Sequence, residues 1–107
     1  MMLAAVPLAV IGLAVLPAEE PFDISRAIED QRYPTVEFGR DCYLVAWQDA
    51  RDLAIDTSCN IYGCRVARSG AVLDTAGILI WRSRRDDYFP RTAWGGSDWV
   101  VIWQEGC

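Results

Sequence analysis

Four oxygen-bearing side chains, Asp49, Asp52, Asp56 and Asn60, fall within one polar stretch. Oxygen donors of this kind suit calcium. Their spacing matches no regular calcium loop, however, and no glycine stands where such a loop turns sharply, so no metal ligand is assigned. Asp49 and Arg51 sit two residues apart, on one side of an extended chain. The chemistry expected of them is structural: a charge pair, or a carboxylate that accepts backbone N–H groups and fixes a loop. The chain has no histidine and no lysine. That excludes imidazole zinc sites, serine–histidine and cysteine–histidine relays and lysine Schiff bases. No phosphate-binding loop or paired-glycine nucleotide fingerprint appears,. A two-carboxylate glycosidase needs an acid and a base facing each other across a cleft, and nothing in the spacing brings two of these acids together. Tyr43, Tyr62 and Tyr88 read as packing groups rather than nucleophiles. The expectation is a protein that is not an enzyme, with no catalytic residue and no cofactor.

The four cysteines, Cys42, Cys59, Cys64 and Cys107, allow three pairings if the chain is exported. An extended stretch from Cys59 to Cys64 would separate their Cα atoms by roughly 16 Å at ~3.3 Å per residue, beyond disulfide reach. Cys42 and Cys64 fall on adjacent expected strands. Cys59 and Cys107 fall in the same loop of successive repeats. The expected bridges are therefore Cys42–Cys64 and Cys59–Cys107.

The elements that must position these groups are set by a repeat. The eighteen residues from Pro34 to Arg51 return, altered, from Pro90 to Cys107, a shift of 56 positions. Five pairs are identical (Pro34/Pro90, Gly39/Gly95, Val45/Val101, Trp47/Trp103 and Gln48/Gln104) and four more are close replacements, where average usage would give roughly one identity. A repeat of this length signals stacked units that cannot bury their faces singly. Within one period the chain reads as four short strands. The first runs from Thr35 to Phe38, opened by Pro34, which cannot donate to a ladder. The second, Cys42 to Gln48, alternates Tyr43, Val45 and Trp47 with Leu44 and Ala46, so both faces are apolar and covered. Its counterpart alternates Trp99, Val101 and Trp103 with Val100 and Ile102. A polar loop from Asp49 to Cys59 leads to the third strand, Asn60 to Ala67, and a turn at Asp74 to Gly77 leads to the fourth, Ile78 to Trp81. Trp47 and Trp103 are expected to fill space between stacked sheets. Gly63, inside a strand, marks a bulge or a close approach by another group, with the ring of Trp47 or Tyr62 as the expected neighbour. Arg82, Arg84 and Arg85, followed by Asp86 and Asp87, read as a solvated turn.

Residues 1–18 carry no charged side chain and form a candidate signal peptide with Ala18 at the cleavage point. The run is short for a membrane span of ~20 apolar residues, and Pro7 and Gly12 interrupt it, so no stable span is expected. A second reading makes part of it an earlier strand, because Phe22 and Ile24 lie 56 positions before Ile78 and Ile80. Residues 19–33 are then the tail of a preceding repeat or a linker, 34–89 the first full unit and 90–107 the truncated start of a second.

Trp47-Gln-Asp-Ala-Arg51, Asn60-Ile-Tyr-Gly-Cys-Arg-Val66, Gly70-Ala-Val-Leu-Asp74 and Gly77-Ile-Leu-Ile80 resemble the repeats of secreted bacterial proteins with β-propeller-type modules. Asn60 stands where that family usually has Asp, and Cys59 is unusual in the loop before it. The resemblance covers about Phe22 to Cys107 and implies architecture and location: secreted, at the cell surface or periplasmic. The expected fold is all-β, with antiparallel four-stranded blade-like units forming an incomplete β-propeller fragment behind the apolar segment. The formal charge of -5 and the lack of a basic stripe argue against a nucleic-acid partner. The expected role is a non-catalytic binding or scaffold module for a protein or carbohydrate ligand, needing further repeats or self-association to cover its open edges. The alternative is an accessory fragment of a secreted hydrolase, sialidase-like or protease-associated, whose catalytic residues lie elsewhere.

Overall fold

A computed structural model describes residues 2–6, 10–14 and 20–106 of the chain. The candidate cleavage point at Ala18, and Cys107, lie outside the described residues. The described residues form three antiparallel sheets. The first joins β1 (Met2–Val6), β2 (Val10–Ala14) and β3 (Phe22–Ser25), so the apolar N-terminal run contributes two strands. The second is four-stranded, β4 (Gln31–Gly39), β5 (Cys42–Asp49), β6 (Asn60–Ala67) and β7 (Ile78–Trp81), paired in chain order. The third is a hairpin of β8 (Asp87–Trp94) and β9 (Trp99–Glu105). One helical turn, α1 (Leu53–Asp56), interrupts the β5–β6 connection, a stretch expected to be loop throughout. Residues between Ser25 and Gln31 form no helix.

The 56-residue period governs the backbone as well as the side chains. Shifted by it, β3 falls on β7, β4 on β8 and β5 on β9. The two hairpins share one register: Val36 pairs with Val45 and Phe38 with Tyr43, while Thr92 pairs with Val101 and Trp94 with Trp99. They also share one irregularity. The ladder slips between Arg32 and Thr35 in one hairpin and between Tyr88 and Arg91 in the other. At each slip an aromatic residue takes the left-handed region, Tyr33 at φ 53° and Phe89 at φ 53°, just before Pro34 and Pro90. Proline therefore does not open the strand, as expected, but sits at a bulge inside it, where the missing N–H leaves no ladder bond unmade. A bulky residue at positive φ costs on the order of 1–3 kcal/mol and persists only when its surroundings over-determine it. Here the surroundings include each other: the Tyr33 and Phe89 rings meet edge to face with centroids 4.5 Å apart, a pairing worth about 0.5–1.5 kcal/mol.

β5 is the centre of the molecule because its Val-, Leu- and Trp-bearing alternation offers an apolar surface on both sides. Val45 and Trp47 pack with Tyr62, Cys64 and Val66 from β6 and with Ile24 and Phe22 from β3. On the opposite face, the Trp94 ring of β8 lies against Gly39, where an added Cβ would fall 2.4 Å from the indole. Thr35 and Thr92 meet there through their hydroxyls at 3.4 Å. The three sheets are thus stacked in one sense, each laid on the same face of the one before it. β9 does not share the double coverage of β5: Val100 and Ile102 are 49% and 63% exposed, because no described strand lies over them.

The expected disulfides are corrected. Cys42, Cys59 and Cys64 carry free thiols. In the β5–β6 ladder Cys42 pairs with Ala67, whereas Cys64 pairs with Val45. The two thiols therefore stand three rungs apart and, by strand alternation, on opposite faces of the sheet. Gly63 is crowded not by a ring but by Ile80 Cδ1, 2.8 Å from an added Cβ, and by the Val45 carbonyl at 3.0 Å. Among the described residues no helix is long and apolar enough to cross a membrane.

Candidate functional site

The end of β5 carries the densest polar network of the molecule. Asp49 is fully buried and accepts four bonds: from Trp47 Nε1 at 2.6 Å, Arg51 N at 2.8 Å, Arg51 Nε at 2.9 Å and Arg51 Nη2 at 2.7 Å. Strand alternation puts Trp47 and Asp49 on one side of β5, and the turn at Arg51 folds its fork back onto the carboxylate. The same guanidinium donates to the Ala76 carbonyl at 2.8 Å and lies over the Tyr62 ring, 3.9 Å from its centroid. Burial lowers the Arg51 pKa, but the hydrogen bonds and charge of Asp49 outweigh it, and the net shift is upward. This arginine remains a cation clamped between a carboxylate and a phenol ring.

Beyond it, the loop through α1 is pinned to β6 and to the β7–β8 link. Tyr62 Oη donates to Asp52 Oδ2 at 2.7 Å, and Asn60 Nδ2 donates to Asp52 at 3.2 Å and to Asp56 at 2.9 Å. Arg82 reaches the same two carboxylates at 2.9 and 3.3 Å. Of the four oxygen donors in this stretch, three converge and Asp49 goes elsewhere. The centre of the convergence holds a guanidinium and an amide N–H group, and no cluster of His, Cys, Asp and Glu suited to a metal occurs among the described residues. Burial raises the Asp52 and Asp56 pKa values, yet bonds from Tyr62, Arg82 and Asn60 to Asp52, and from Asn60 and Ser58 to Asp56, bring both below the usual carboxylate range. Burial and the bond to Asp52 push the Tyr62 phenol up. At neutral pH both acids are therefore ionised and the phenol protonated, each engaged by its neighbours in the cluster.

One carboxylate behaves in the opposite way. Asp87 is fully buried and pairs across the hairpin with Glu105. Burial first, then the negative charges of Glu105 and Asp86, raise its pKa. Ser83 Oγ donates to its Oδ2 at 3.1 Å, while Oδ1 is buried without a partner. In the first hairpin Gln31 occupies this ladder position opposite Asp49, and an arginine neutralises the acid. The sequence placed Asp86 and Asp87 in a solvated turn. In fact Asp86 Oδ1 accepts the Cys59 N–H at 2.8 Å and Asp87 belongs to the interior. The Gln31-to-Asp87 exchange across the repeat was the available signal.

Two clefts flank α1. One, of about 270 Å³, is lined by residues including Arg32, Gln48, Leu53 and Cys59. The other, broader and about 740 Å³, is lined by Ile55, Asp56, Thr57, Arg82, Ser83 and Arg84. α1 turns Leu53 toward the first and Ile55 toward the second, and both side chains are exposed, Ile55 to 77%. No tyrosine lines either cleft. The repeat tryptophans occupy equivalent rungs facing the preceding sheet: Trp47 lies in the core beside Ile24, and Trp103 stacks on Trp81 with ring centroids 5.6 Å apart. Comparison with protein-family models, with curated proteins and with solved structures finds no match to this chain.

Proposed function

We propose that this chain is a non-catalytic, exported β-repeat module of the propeller type, which presents the β5–β6 loop to a protein or carbohydrate ligand. The observation that carries the reading is the clamped loop. Arg51 and Arg82 tie both ends of the α1 turn to the sheet, and between them Leu53 and Ile55 project into solvent beside two clefts. An exposed apolar tip on a rigid support binds without first losing loop entropy. The stacking of equivalent strands at 56-residue intervals supports the repeat architecture. Free Cys42, Cys59 and Cys64 withdraw the cysteine argument for export, which then rests on the repeat resemblance, since the apolar start of the chain contributes two strands to the first sheet.

The test is a glycan array together with a panel of purified extracellular proteins, probed with the wild type and with Leu53→Glu and Ile55→Glu. Both positions are exposed, so melting temperatures should stay within the range of ordinary surface changes. A ligand bound by the wild type and lost in both variants supports the reading. Binding that survives both substitutions removes α1 as the site.

A further inference from the structure

β7 is the last strand of the central sheet, and its outer edge is bare. It pairs with β6 on one side only. Among the described residues, no backbone group of Ile78–Trp81 bonds to the backbone outside that ladder. Such an edge is a row of N–H donors and C=O acceptors, able to take one more strand. The same edge exists one period earlier, where β3 is the outermost strand of the first sheet. A whole unit follows β3 in the chain and none of its strands pairs with it, so an open fourth strand belongs to the repeat itself.

The two edges are guarded differently. β3 carries Asp23, joined to Arg26 at 2.8 Å, and a charge on an edge strand opposes pairing with another chain. The positions 56 residues later hold Leu79 and Arg82. The acid has become an aliphatic side chain, 42% exposed, and the arginine has turned to Asp52 and Asp56 instead. β7 thus reads Ile-Leu-Ile-Trp, with neither charge nor proline. Its two ends differ in charge. Before the strand Asp74 is bonded to Arg65 and the pair is neutral, while after it Arg84 and Arg85 stand exposed.

We propose that β7 is a self-pairing edge, which joins two copies of the chain through antiparallel β7–β7 hydrogen bonds about a two-fold axis. The charges favour this arrangement: antiparallel pairing holds the two arginine-bearing ends apart and sets each beside a neutral start, where parallel pairing would bring them together. A two-fold contact also covers both open edges at once, making one continuous sheet of the two central ones, and it closes there. It does not depend on what α1 binds. Four residues a side fall well short of a standard interface, which sets the dissociation constant at roughly 10–1,000 µM.

Sedimentation of the full chain from about 5 µM to 1 mM spans that range. The mass should rise from the 12.0 kDa monomer toward twice that value and stop. Leu79→Asp, which installs the residue β3 carries at this rung, and Leu79→Lys should each weaken pairing by at least about tenfold. The two changes move the net charge in opposite directions, so a loss common to both is not a net-charge effect. The exposure of Leu79 and the precedent of Asp23 protect the fold, and near-ultraviolet tryptophan dichroism checks it. Hydrogen exchange of the wild type supplies a second reading, because amides within residues 78–81 should exchange more slowly at the top of the range than at the bottom. A wild type monomeric throughout overturns the proposal. So does pairing untouched by both variants, growth past the dimer, or a dimer that adds no protection at residues 78–81.

Discussion

Replacing Asp49 by Asn tests whether the polar corner holds the molecule together. The change keeps shape and volume and removes one charge. In the native structure four donors converge on the two carboxylate oxygens. An amide keeps one acceptor oxygen and turns an NH2 group toward the donors that used the other. Hydrogen bonds to a charged group contribute about 1.5–3 kcal/mol each, and breaking a buried ion pair from one side costs about 3–5 kcal/mol. The Arg51 side chain keeps 17% exposure and its bond to Ala76 O, which places the loss near the lower bound, about 3 kcal/mol. For a domain of this size that lowers Tm by about 12 °C or more. Urea unfolding followed by tryptophan fluorescence reads it directly, since Trp47 is itself a donor to Asp49. Glu105→Gln, at the equivalent but exposed rung of β9, is the internal control and should change stability by no more than about 0.5 kcal/mol. A loss below about 1 kcal/mol for Asp49→Asn, or equal effects at the two positions, would refute the idea that burial and the arginine fork give Asp49 its weight.

Gly39→Ala should cost about 1–3 kcal/mol by forcing the Trp94 indole off its seat, while Gly95→Ala should cost less, as chemical denaturation of the two variants would show. Asp87→Asn should stabilise the protein by about 1 kcal/mol at pH 7. Its folded pKa is raised, so the native state holds the extra proton, and stability is lost as pH rises from the unfolded carboxylate value near ~3.9 through the folded one. The variant's advantage must therefore vanish below pH ~3.9, and an advantage that grows in acid would contradict the assignment. Acid should have the reverse effect through Asp52 and Asp56, whose lowered pKa values contribute stability above the unfolded value and lose it as pH falls through the folded ones. Asp52→Asn should flatten that acid limb of a pH–stability curve. Thiol titration of the denatured chain should find Cys42, Cys59 and Cys64 all reactive, while in the folded protein Cys64 should react last, because burial encloses it and pushes its thiol up.

Much of this was written in the residue order. The 56-residue recurrence located equivalent strands, and the double apolar alternation from Tyr43 to Trp47 marked β5 as the strand covered on both sides. Asp49 and Arg51 were legible as a loop clamp because two residues of extended chain return to one side. What escaped depended on register or on distant partners. Cys42 and Cys64 lie on neighbouring strands, but only the rung assignment shows that they face apart. Arg82 looked like part of a solvated turn, since its partners Asp52 and Asp56 precede it by a whole strand pair. The bulge before each proline escapes a repeat whose bounds are Pro34 and Pro90. One residue earlier stood Tyr33 and Phe89, the aromatic pair that locks the two hairpins together.

The arrangement of arginines also decides how the molecule comes apart under a protease. Without lysine, trypsin can cut only after arginine, and Arg51 is folded into the corner with its backbone N–H and side chain both engaged. Arg84 and Arg85 are exposed on the link between β7 and β8. Limited digestion should begin at such exposed links, Arg26 and Arg40 among them, and the cut after Arg84 or Arg85 divides the chain between the central sheet and the last hairpin. The two pieces would remain associated through the Tyr33–Phe89 and Gly39–Trp94 contacts, a nicked complex that migrates whole until it is denatured.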